Sequence, residues 1–227
     1  MKQPSLRPLA IAAAMIAATG AAFAQEYVIA KGKLSDDDFY RLVACAAPAG
    51  GECQKPFVRW RKSAARDLTI GIVQVDPGYP DGVSTKVTGL LDQTLAELNG
   101  SGAKLRLRQE EPGVKPDISI HLLDLPRNST ISGTGLPWFD GNPLSTARMQ
   151  MGWRNDGSIF TCAVALSRDV PPKAVQRILL EEITQCLGLM TDVRGGYYES
   201  RSIFSEDGMQ ATTLKGQDLM ALRRHYP

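Results

Sequence analysis

The alternation of apolar and polar positions divides the chain into a series of strands and helices. Asp67 to Val75 (DLTIGIVQV) alternates and is rich in β-branched residues, which predicts a strand. Asp76 to Gly82 is turn chemistry. Val83, Val87, Leu90, Leu91, Thr94, Leu95 and Leu98 then recur at helical spacing, and Asn99-Gly100 closes that helix. Lys104 to Arg108 and Pro116 to Leu123 predict a second and a third strand, Ala147 to Trp153 an edge strand, and Ile159 to Leu166 a central one. Asn155-Asp156-Gly157 supplies a hairpin turn between the last two. Ser35 caps a short early helix carrying Phe39, Tyr40, Leu42 and Val43. A terminal helix begins at Thr212 or Thr213, with Leu214, Leu219, Leu222 and Tyr226 on its apolar side. Pro126 to Thr146 carries no such pattern; its Leu136, Trp138 and Phe139 either tuck onto the core or rim a cleft. The expected fold is α+β: a mixed, twisted sheet of about five strands against two main helices, plus a C-terminal helix.

The stretch Val170 to Asp192 breaks the pattern in an informative way. Pro171 and Pro172 suit a first helical turn, and Val175, Ile178, Leu179, Ile183 and Cys186 make one apolar face that stops at Gly188. Glu182 falls inside that face, with Glu181 and Gln185 at its edge, one turn apart. A carboxylate on the apolar side of a helix is expensive unless something engages it.

The frame Glu181-Glu182-Ile183-Thr184-Gln185-Cys186-Leu187-Gly188-Leu189-Met190-Thr191 resembles the active-site helix of metzincin zinc peptidases, H-E-x-x-H-x-x-G-x-x-H. Glu182 stands at the general-base position and Gly188 at the glycine. Glu181, Gln185 and Thr191 stand where the three histidines would be. Ser202-Ile203-Phe204 resembles the tight turn beneath the metzincin metal, and Leu214, Asp218 and Tyr226 resemble the final matrixin helix. EEITQCLGL, the SIF turn and the Asp…Tyr helix together resemble the DUF2927 family of exported bacterial proteins, which implies no established activity; the likeness to zincins rests on the motif frame and the element order. The order strand, helix, four strands, helix is also that of the zincin upper domain.

With both histidines, His121 and His225, outside the motif, no zinc site, metal or cofactor is expected. A hard ion on Glu181, Glu182 and Asp192 is the weaker possibility. The expected function is a non-catalytic pseudo-metallopeptidase. Its remnant cleft, formed by Glu181, Gln185, Thr191 and Asp192, would bind a protein, peptide or envelope component. The alternative is an unusual hydrolase with Glu182 as general base, using no metal or one other than zinc.

Composition adds location and covalent ties. Lys2 and Arg7, the apolar run Leu9 to Ala18 and the Ala22-Phe23-Ala24 site predict a signal peptide over 1–24. The organisation that follows is an extension over 25–56 and a zincin-like domain over 57–227. Localisation is expected to be periplasmic or secreted, with no transmembrane segment in the mature chain. In that setting four cysteines imply two disulfides. Of three pairings, Cys45–Cys53 closes a Pro/Gly loop and Cys162–Cys186 ties a strand to the key helix. A net charge of +2 without a basic run argues against nucleic acid.

Overall fold

A computed structural model describes residues 27–208 and 210–227. The expected signal peptide lies outside the described residues. In chain order the elements are β1 (Tyr27–Ile29), α1 (Asp36–Cys45), β2 (Arg59–Trp60), α2 (Lys62–Ala65), β3 (Leu68–Val75), α3 (Asp81–Gly100), β4 (Leu107–Gln109) and β5 (Ile118–Leu123). They continue with β6 (Ser129–Thr130), β7 (Pro143–Leu144), β8 (Ala147–Trp153), β9 (Ser158–Ser167), α4 (Val175–Cys186), β10 (Asp192–Arg194) and α5 (Gly216–His225).

The main sheet runs β4-β3-β5-β9-β8, with β2 pairing the first residues of β9. Its pairings are parallel except that of β8, which lies antiparallel against β9 at one edge. The fold is therefore α+β with a mostly parallel, mixed sheet. On one sheet face, Ile70, Ile118, Ile120, Leu122, Val164 and Leu166 share a core with α3 (Val87, Leu91, Leu95) and α4 (Val175, Leu179, Ile183). Each such side chain contributes roughly 1.5–3 kcal/mol when fully buried.

The opposite face has a smaller cluster in which Leu123, Ala163 and Ala165 meet Ile131, Phe139 and Leu144. The irregular 126–146 segment thus packs Phe139 onto the sheet, while Trp138 stays half exposed. The N-terminal part is joined to the same body. Phe39, Leu42 and Val43 of α1 belong to the main core, and β1 pairs with β10.

Strand two forms at Leu107–Gln109 rather than from Lys104. The earlier backbone is committed elsewhere: the Lys104 N–H donates to Tyr226 O and the Arg106 N–H to Ala65 O. The key helix opens with a 3-10 turn, Pro172–Ala174, before its α-helical part.

Both expected disulfides are present. Cys162–Cys186 joins β9 to the last residue of α4 and closes a loop with a sequence separation of 24. The chain-entropy account gives such a loop about 3 kcal/mol. The Cys162→Ala/Cys186→Ala variant is therefore expected to lose about that much in urea unfolding. A midpoint unchanged from the oxidised protein would contradict this.

The end of α4 is fixed by side chains from distant segments. The Trp60 indole N–H donates to Cys186 O (2.9 Å) and the Tyr226 hydroxyl to Leu187 O (2.6 Å), covering carbonyls that lack helical partners. The Tyr226 oxygen also accepts from the Trp60 N–H at 3.1 Å. Gly188 follows at φ +102°, where a Cβ would collide with Val58 O and the His225 ring. Only glycine suits that position.

Candidate functional site

A groove of about 700 Å³ runs between edge strand β8 and helix α4. Met149 and Gln150 line it from β8; Ile178, Glu181, Glu182 and Gln185 line it from α4. The helix positions are spaced by three and four residues, so one face carries them all. Asp192, at the start of β10, closes one side. Glu181, Glu182, Gln185 and Asp192 therefore line the same groove.

Thr191 does not. Its side chain is fully buried and its N–H donates to Val43 O of α1 at 3.1 Å. That bond turns the segment toward β1 and directs Thr191 away from the groove.

The groove's polar groups engage one another. Arg177 holds Glu181 through two contacts, Nη1–Oε2 at 2.9 Å and Nη2–Oε1 at 3.3 Å. The same guanidinium donates to Ser205 O at 2.7 Å and so ties α4 to the segment after the SIF turn. Burial raises the pKa of Glu181; Arg177 pulls it down, while Glu182, Glu206 and Asp218 add to the rise. Gln185 Nε2 donates to Asp192 Oδ1 at 2.8 Å. Two of the three positions that match metal ligands are thus occupied with internal bonds. Among the described residues no group of three or more His, Cys, Asp or Glu is placed to hold a metal ion.

The SIF turn is built around Asp218 of α5. Its Oδ1 accepts from the Ser202 hydroxyl (2.7 Å) and its Oδ2 from the Ile203 N–H (2.8 Å). Ser202 Oγ in turn accepts from the Phe204 N–H at 3.1 Å. Burial pushes the Asp218 carboxyl up to about 7, against the pull of those two donors.

Both histidines lie outside the groove. His225 Nε2 faces Val58 O at 2.9 Å and must donate to it, which leaves Nδ1 to accept from the Tyr40 hydroxyl. His121 lies on the far sheet face, between Gln74 Oε1 and Ser119 Oγ. Burial pushes each imidazole down to about 4.

Arg177, Arg148, Lys55 and Glu206 also line the groove, and the sequence reading did not single them out. Arg177 carried a signal, since it lies four residues before Glu181 on the same helix face. Lys55, Arg148 and Glu206 come from other segments and carried none.

Residues 142–227 match the model of the DUF2927 family, described as a protein of unknown function. No curated protein matches the chain. The DUF2927 match starts just before β8 and runs through α5, so it covers both walls of the groove, the SIF turn and its Asp218 anchor. β3, α3 and β5 lie outside it.

Proposed function

We propose that this chain is an exported, zincin-like domain that binds an extended peptide segment of a protein or envelope component in the α4–β8 groove, without metal chemistry. The observation that carries this reading is the shape and bonding of the groove. Among the described residues β8 pairs in the sheet only with β9, so its other edge offers backbone donors and acceptors beside an open trough. An extended chain can be added to such an edge. The opposite wall keeps the E-E-x-x-Q frame of the helix, but its Glu181 and Gln185 bind Arg177 and Asp192.

The element order supports the zincin-like reading. The two disulfides are consistent with an extracellular or periplasmic location. No helix among the described residues is long and apolar enough to cross a membrane.

Selection from a displayed peptide library tests the binding. Peptides recovered on the wild-type chain are expected to bind the Met149→Arg variant at least about tenfold more weakly, because the new side chain fills the trough. Equal affinity for both forms would remove the groove from the account. The hydrolase alternative draws on the position of Glu182, nine-tenths buried in the groove wall. Peptide cleavage that is lost in Glu182→Gln, with folding intact, would favour it.

A further inference from the structure

We propose that a second cleft, between β2 and the β8–β9 hairpin, docks the chain onto an anionic phospholipid surface. This cleft has a volume of about 560 Å³ and is separate from the peptide groove. Arg59, Arg61 and Lys62 line its cationic side, and Tyr40 and Phe57 its apolar wall. A smaller adjoining depression shares Arg59 and Lys62 and extends the rim to Arg66 and Lys104.

Among the described residues Asp156 is the only carboxylate side chain lining either depression, and it is already engaged. It accepts from the Ser158 N–H and hydroxyl and pairs with Arg61 at 2.7 Å. Arg59, Lys62, Arg66 and Lys104 make no ion pair among the described residues. The whole chain is nearly balanced, with 26 Lys and Arg against 24 Asp and Glu. This cluster is therefore a local separation of charge and not a general basicity. A surface of that sign attracts a multiply anionic partner.

The cations are held at fixed spacing by buried backbone. On β2 the alternation sends Val58 and Trp60 inward and Arg59 and Arg61 outward. Lys62 and Arg66 lie one turn apart beside the fully buried Ala65. The Lys104 N–H donates to Tyr226 O, and the Arg59 N–H to Gly157 O. The charged ends project into solvent from a rigid frame.

The aromatic rim favours a lipid surface as the occupant. Phe57 is 46% exposed beside the Tyr40 ring. Exposed aromatics interleaved with cations suit the boundary between headgroups and water: rings at headgroup level, cations on phosphate. A soluble phosphate would use the cations and leave the rings without a role. The inference stands independently of the peptide reading.

Co-sedimentation of the full chain with phosphatidylcholine vesicles, with and without phosphatidylglycerol, tests it. Binding is expected only with phosphatidylglycerol. It is expected to be lost in roughly 1 M NaCl, where screening reaches ~3 Å. The Arg59→Glu/Lys62→Glu variant is expected to bind about tenfold or more weakly, with unchanged melting because both side chains are exposed. Lys86→Glu, an exposed cation on α3, is expected to bind as the wild type. Phosphatidylglycerol binding equal in the double variant, or no such binding at low salt, would overturn the proposal. So would calorimetric binding of inorganic pyrophosphate by a chain that ignores the vesicles, since the cleft would then serve a soluble anion.

Discussion

Arg177→Met is expected to lower stability by about 3–5 kcal/mol at alkaline pH, where Glu181 ionises, the usual cost of removing one partner of a buried ion pair. Arg177 and Glu181 are both nearly inaccessible, so the substitution leaves an uncompensated carboxylate inside the groove wall. It also removes the donor to Ser205 O that joins α4 to the following segment. The loss should depend on pH. Burial and neighbouring carboxylates already raise Glu181 above its ordinary value of 4.5, and Arg177 is what opposes them. A raised carboxyl contributes stability that is present at low pH and is lost as pH rises through the folded pKa. Without Arg177 the folded pKa rises further, so the loss continues to higher pH. Urea unfolding should therefore show a smaller deficit at about pH 6 than at about pH 9.5, because the two forms differ only above the wild-type folded pKa of about 8. The double variant Arg177→Met/Glu181→Met should recover most of the deficit, since no lone charge remains. An equal deficit at both pH values, with no recovery in the double variant, would show that the pair does not govern this wall.

Asp218→Ala is expected to cost about 2–5 kcal/mol. It strips the buried Ser202 hydroxyl and Ile203 N–H of their acceptors, at about 1–3 kcal/mol per unsatisfied group. The SIF turn then loses its link to α5. Asp218→Asn separates charge from bonding. Asp218 is pushed up to about 7 from 3.8, so it penalises folding progressively as pH rises through that interval. The Asn variant should remove that part of the pH dependence while keeping one acceptor for the turn. The two neutral histidines act in the other sense. Their contribution is present above their ordinary value of 6.5 and is lost as pH falls toward about 4. Thermal melting across that range checks both signs. A wild-type and an Asn variant with parallel profiles would contradict the assignment to Asp218.

Local periodicity made much of the fold legible. β3, β5, β8 and β9 lie where alternation places them, and α3 and α4 follow their helical apolar faces. The shift of β4 was not legible, because Lys104 and Arg106 give their N–H groups to Tyr226 and Ala65, partners far away in the chain. Both cysteine pairs could be chosen from loop length and element type. The site was legible where one helix carries it: Glu181, Glu182 and Gln185 share a face by spacing alone. Thr191 shows the limit of a motif frame. The spacing that fits a metal ligand also fits a residue drawn inward by the Val43 carbonyl. The basic cleft was hidden because its cations come from β2, α2 and the segment before β4, with no run in the sequence.

The central claim is that the groove works without metal because Glu181 and Gln185, two of the three positions that match metal ligands, bond internally. Elemental analysis of the purified protein, before and after dialysis against a chelator, tests this most directly, with melting temperature followed alongside. The account predicts no stoichiometric metal and an unchanged melting temperature. One metal ion per chain, with a lower melting temperature after its removal, would contradict it and return Glu182 to the role of a catalytic base.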